Sequence, residues 1–196
     1  NRVDEFFERT LAKGCPKREW RAPMYIELVK HPDVFLRSIS NIVPFPLDDK
    51  TSRLIKFMSK AMYQNNGIGL AAIQVGYQLR MFVMDCTRAQ KTPEVFINPE
   101  IVEKSSETLC DVEGCLSVPG KRGEVRRHLR IILKYQDQDG KEQRKTFYDL
   151  RARCVQHEMD HLDGKLCIDY EKGEYSRDKH KSQTMVESDF RTKSDT

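Results

Sequence analysis

The 196-residue sequence predicts an α+β fold in which antiparallel sheets pack around a central helix carrying an HExxH motif. Three observations predict it. One helical pattern opens the chain's core and a second closes it, the residues between them read as strands joined by hairpins, and strands do not alternate with helices as a parallel doubly wound sheet requires. The length suits one compact domain.

Each element follows from its local pattern. Residues 1–23 place Phe6, Phe7 and Leu11 at helical spacing before Gly14, then a basic stretch around Trp20, and read as an appendage. Asp49 or Ser52 is placed to cap a helix whose Leu54, Met58, Ala61 and Met62 share one face, with Gly67 in the C-cap position. Strands are expected at Arg80 to Asp85, Val95 to Ile97 and Leu129 to Gln136, the last paired through Asp139-Gly140 with Lys141 to Tyr148. A second helix is expected from about Asp149 to Leu162, ending at Gly164. Leu150, Cys154, His157 and His161 line one of its faces and Val155, Met159 and Leu162 another, so it is central and buried. Residues 24–172 then form the catalytic domain, and 173–196, polar and poor in large apolar residues, a mobile tail.

Composition excludes several classes. Charged residues are 33% and hydrophobic ones 38%, which implies a modest core under a heavily charged surface. No apolar run approaches the roughly 20 residues of a membrane span, so no membrane partner is expected. The formal charge of +4 is too weak to imply nucleic acid, and the run Lys121, Arg122, Arg126, Arg127, His128, Arg130 reads as solvent-facing strand positions. The six cysteines are scattered without a CxxC, which favours a reducing compartment.

The strongest chemical signal is His157-Glu158-Met159-Asp160-His161. Two imidazoles one helical turn apart can bind one cation, and the glutamate between them can move a proton on a water beside it. Catalytic sites of this type use a third protein ligand, and spacing leaves Cys115 and Cys167 in competition for that place.

Three segments carry a family resemblance. Gly67-Ile68-Gly69-Leu70-Ala71-Ala72-Ile73-Gln74, Glu113-Gly114-Cys115-Leu116-Ser117 and Gln156-His157-Glu158-Met159-Asp160-His161-Leu162-Asp163-Gly164 resemble, in order, the signature motifs of peptide deformylases. The resemblance implies Cys115, His157 and His161 as metal ligands and Glu158 as general acid/base, with Gln74 and the Leu116 N–H as donors to the substrate carbonyl. It further implies one divalent ion, natively ferrous iron and replaceable by zinc, nickel or cobalt. It implies the removal of formate from the initiator formyl-methionine of nascent chains. Gly69 and its neighbours would pair with the substrate main chain as an added strand, beside Gly114 and Arg122. Ile68, Leu150, Cys154 and the His157 ring would form the pocket for the methionine side chain.

Two rival readings stand beside this one: a zinc endopeptidase with Cys167 or Glu187 as third ligand, and a non-catalytic homologue that binds peptides or ribosomes. The basic residues suggest docking near the ribosomal exit, without recognition of a specific nucleic-acid sequence. The chain's first residue is Asn1, and its basic early stretch suggests a mitochondrial or plastid matrix, with a bacterial cytoplasm as the alternative.

Overall fold

A computed structural model describes residues 27–172 other than 88, 90 and 91. The expected appendage at 1–23 and tail at 173–196 lie outside the described residues. Among the described residues, seven strands and two α-helices follow in chain order: α1 (Asp49–Gln64), β1 (Gly69–Ala71), β2 (Met81–Met84), β3 (Glu94–Lys104), β4 (Thr108–Gly114), β5 (Arg122–His128), β6 (Arg130–Gln136), β7 (Glu142–Tyr148) and α2 (Asp149–Leu162). The strands form an antiparallel five-stranded sheet in the order β1-β2-β3-β6-β7 and a two-stranded ribbon, β4-β5. The expected α+β architecture holds, and α2 carries the HExxH motif. None of the helices is long and apolar enough to cross a membrane among the described residues.

The large sheet is covered on both faces, because successive side chains of a strand point to opposite sides. Met81 and Val83 of β2 join Leu54, Met58, Ala61 and Met62 of α1 in one cluster. Phe82 and Met84 join Ala152, Val155, Met159 and Leu162 of α2 in another. All four β2 residues are therefore buried, and α2 is held between sheet and ribbon. Phe96 centres the second cluster, with ring centroids 4.7 Å from Phe82 and 5.7 Å from Phe147.

Several details correct the sequence reading. The α1 cap is Asp48, whose carboxylate accepts the Thr51 N–H at 2.7 Å. The left-handed residue after α1 is Asn66 (φ 54°), not Gly67. Gly67 is required by crowding instead, since a Cβ there would lie 2.6 Å from Leu116 Cδ1. β3 runs on to Lys104 because the chain passes Asn98 (φ 50°) and Pro99 in an irregularity between Ile97 and Glu100, then resumes pairing with β6. Asn98 makes this possible by donating to Val43 O and accepting from Val43 N at 2.9 and 2.8 Å. The ribbon's register, Glu113 opposite Gly123 and Gly114 opposite Arg122, puts alternate β5 residues inside. Arg127 is therefore buried rather than solvent-facing.

Candidate metal centre

The last turns of α2 and the residue after β4 converge. Cys115 Sγ lies 3.3 Å from His161 Nε2, and one ligand atom from each of Cys115, His157 and His161 lies within 4.8 Å of the others. The imidazoles stand edge to face with centroids 5.0 Å apart. Ligand bonds of about 2.0–2.3 Å to a common ion hold donor atoms at this scale of separation. Spacing left two cysteines in competition and the resemblance pointed to Cys115, which is the one that joins both histidines. Cys167 is buried outside this cluster.

A buried ion network sets the direction of His157. Glu113 Oε2 accepts from His157 Nδ1 and from Arg127 Nη2, both at 2.9 Å. Glu113 Oε1 accepts from Arg127 Nε at 3.0 Å and Arg153 Nη1 at 2.7 Å. Arg127 Nη1 in turn donates to Asp160 Oδ2 at 2.6 Å, as the Tyr170 hydroxyl does at 2.9 Å. With its Nδ1 proton engaged by Glu113, His157 keeps the Nε2 lone pair for the cluster, the usual function of a carboxylate behind a ligating imidazole. Burial alone would raise the Glu113 carboxyl, but the His157 and Arg127 hydrogen bonds outweigh it and hold it down at about 2. Sequence reasoning did not single out Glu113, Arg127, Arg153, Asp160 or Tyr170. The one available signal was a glutamate two residues before Cys115.

The electrostatics of the cluster fit a cation. Burial pushes the His161 imidazole well below its usual range, leaving the neutral, ligating form. Burial acts the same way on His157, but the Glu113 hydrogen bond and the nearby Glu158 charge outweigh it. The neighbouring Cys167 thiol and burial push the Cys115 thiol up. Burial likewise pushes the Glu158 carboxyl up to about 7. Glu158 Oε2 and His161 Nδ1 are buried with no hydrogen-bond partner. A dication would offset the costs at Cys115 and Glu158: it would replace the thiol proton and balance the Glu158 carboxylate. One sulfur and two imidazole nitrogens suit iron, zinc, cobalt or nickel rather than magnesium or calcium.

The other predicted site residues surround this cluster. Gln74 is fully buried in a 3-10 turn, Ala72–Val75. Its Oε1 accepts the Ala71 N–H at 2.8 Å, which turns Nε2 toward Ser117 Oγ at 3.1 Å and Cys115 Sγ at 3.7 Å. Leu116 packs beside Gly67. Gly69 opens β1 at the edge of the large sheet, and a Cβ there would overlap Glu158 Oε1 and sit 2.9 Å from Cys154 Sγ. Cys154 Sγ also lies 3.7 Å from Ile68 O. Gly114 has open space on its Cβ side, and Arg122, its register partner, lines a depression with Gly114 and Cys115. Leu150 is 55% exposed. It lines a depression with Leu109, Asp111 and Arg153 that includes none of Ile68, Cys154 and His157.

Comparisons with known proteins agree with this geometry. Residues 25–176 match the family described as Polypeptide deformylase. The peptide deformylase of Bartonella henselae is 46% identical over 145 residues, covering 73% of this chain and 82% of that protein. That of Rhizobium meliloti is 46% identical over 145 residues, covering 73% and 83%. Among solved structures, a peptide deformylase from Legionella pneumophila superposes with a TM-score of 0.71 at 39% identity, covering 74% of this chain and 85% of that one. The Thermotoga maritima peptide deformylase gives 0.70 at 38% identity, covering 76% and 98%. The match in sequence across the core and in fold over the same elements leads to one conclusion: this chain belongs to the polypeptide deformylase family.

Proposed function

We propose that the chain is a metal-dependent amide hydrolase that removes the N-formyl group from the initiator formyl-methionine of nascent polypeptides and releases formate. The observation that carries this reading is the convergence of Cys115, His157 and His161 beside the unpartnered carboxylate oxygen of Glu158, in a chain of this family.

Cys115, His157 and His161 would hold one divalent ion, with ferrous iron as our proposal for the native metal and zinc, nickel or cobalt as substitutes. That ion supplies Lewis acidity, polarising the formyl carbonyl and acidifying a water. Glu158 takes the proton of the attacking water and returns it to the departing amine. Burial favours the protonated form of this carboxyl, which suits it to carry the proton between the two steps. Gln74 Nε2 and the Leu116 N–H donate to the oxygen as it gains negative charge. The Ala71 N–H fixes which edge of the Gln74 amide faces the cluster. Gly69 offers the open edge of β1 to the substrate main chain. Gly114 and Arg122 flank the same opening, and Ile68, Cys154, Leu150 and the His157 ring receive the methionine side chain.

The deciding experiment is anaerobic formate release from a short N-formyl-methionyl peptide by iron- or cobalt-loaded protein. The acetylated peptide serves as control. Formate from the formyl peptide alone supports the reading, and its absence at full metal occupancy overturns it. Docking on the ribosome is a further part of the proposal, supported by exposed Arg122 and Arg126 on one face of β5. Salt-sensitive co-sedimentation with ribosomes tests it.

A further inference from the structure

Ser117 is fully buried, yet the chemistry above gives it no part. It lies beside Gln74 because three segments are tied together at this point. Val29 N donates to Gln74 O and His31 N to Ser117 O, both at 2.8 Å, so the stretch 29–31 holds the two backbones at one spacing. On one side Gln74 sits in the 3-10 turn Ala72–Val75. On the other, Val118 N donates to Cys115 O at 3.0 Å and closes a turn with Leu116 and Ser117 at its centre. Three successive residues of that turn thus carry the sulfur ligand, the Leu116 N–H and the Ser117 hydroxyl.

Every polar atom of the Gln74 amide has a partner. A side-chain amide offers one acceptor oxygen and two N–H hydrogens. Oε1 accepts the Ala71 N–H at 2.8 Å, and Nε2 donates to Ser117 Oγ at 3.1 Å. Cys115 Sγ, at 3.7 Å, is the other neighbour of Nε2. We propose that Ser117 is a positioning residue for the reaction: its hydroxyl oxygen takes one hydrogen of the Gln74 amide and so turns the other toward the cation site, where the reacting carbonyl oxygen gains its charge. The inference rests on the reading of Gln74 as a donor to that oxygen. The Ala71 N–H anchors only one end of the amide and leaves it free to tilt about that contact. The Ser117 hydroxyl anchors the other end and fixes the plane. A donor held in place before the charge develops stabilises it without first having to reorganise. Without the hydroxyl, a buried N–H loses its acceptor and is drawn to whatever other acceptor lies near. The Cys115 sulfur is the one at hand, so the hydrogen needed by the substrate oxygen is turned away from it.

The test compares the full parent chain, Ser117→Ala, Gln74→Leu and the double variant, each loaded with cobalt, in formate release from an N-formyl-methionyl peptide. Ser117→Ala should lower kcat about tenfold, short of the about 10²–10³-fold of a lost oxyanion donor. Its KM should stay within about twofold of the parent's and its bound cobalt should be unchanged. In the Gln74→Leu background the same change should cost less than about twofold, because a residue that acts through Gln74 then has nothing left to position. An equal loss in both backgrounds marks a merely structural role and overturns the proposal, as does an unchanged kcat in Ser117→Ala. NMR of the isotope-labelled, zinc-loaded parent depends on no variant. One Gln74 Nε2 hydrogen should show a nuclear Overhauser contact with the Ser117 β-hydrogens, and absence of that contact overturns the proposal however the variants behave. A parent chain that releases no formate at full cobalt occupancy overturns the reading of the function and this inference with it. An active parent beside an unaffected Ser117→Ala overturns the inference alone.

Discussion

Glu158 shows how much one buried side chain can be asked to do. Its carboxyl is raised to about 7 by burial, and one oxygen has no hydrogen-bond partner. Glu158→Gln keeps the shape and removes the proton transfer. Its kcat for formate release should fall by about 10²–10⁴-fold, the usual worth of general acid–base catalysis, with cobalt stoichiometry unchanged. A variant that turns over normally would remove Glu158 from the mechanism. The spacing of His157, Glu158 and His161 was legible because a helix repeats every 3.6 residues and brings positions four apart to one side. Glu113 was not legible as their partner, since its contact with His157 at 2.9 Å spans 44 positions.

Elements are joined at the site by close approach and by buried charge. The edge strand β1 passes so near α2 that only a hydrogen fits at Gly69, with Glu158 Oε1 and Cys154 Sγ in the place of a Cβ. Gly69→Ala should therefore lower kcat/KM at least tenfold by displacing Glu158, about 1.4 kcal/mol. Gly114→Ala, with open space around it, should leave the melting temperature of the protein unchanged. Parallel melting and formate assays on the two variants compare these effects. Arg127 ties β5 to β4 and α2 through Glu113 and Asp160. Arg127→Met leaves the buried Glu113 and the half-buried Asp160 without their shared arginine and should cost about 3–5 kcal/mol in urea unfolding. A loss below about 1 kcal/mol would contradict that account. In the sequence Arg127 was one of several basic residues and read as exposed. Only the alternation set by pairing with β4 places it inside.

For the whole molecule, Asp85 is a junction. The Tyr63 hydroxyl from α1 donates to it at 2.7 Å, as do the Thr87 hydroxyl and N–H at 2.6 and 2.8 Å and the Thr92 N–H at 3.0 Å. Its own N–H donates to Ile68 O, next to Gly69. Burial alone would raise the Asp85 carboxyl, but the Thr87 and Tyr63 hydrogen bonds and the two N–H donors outweigh it and hold it at about 2. The folded chain then binds fewer protons than the unfolded one between about 2 and the ordinary 3.8. The stability this group contributes is thus present above 3.8 and lost as the pH falls toward about 2. Urea unfolding at pH 7, 5 and 3 should show that loss, and Asp85→Asn should flatten it. An unchanged acid limb in the variant would rule Asp85 out as its source.

By itself the sequence determined the fold class, both helices, the β6–β7 hairpin and the HExxH pair, because each is written in a short period or a local turn signal that neighbouring residues carry. The tertiary structure brought Cys115, the ligand the resemblance implied, to the two histidines, and it alone decided that Glu113 and Arg127 stand behind His157 and that β3 continues through Asn98 and Pro99. Those outcomes depend on strand register and on contacts between distant segments, which the packing of sheet, ribbon and α2 fixes only when the whole chain is folded.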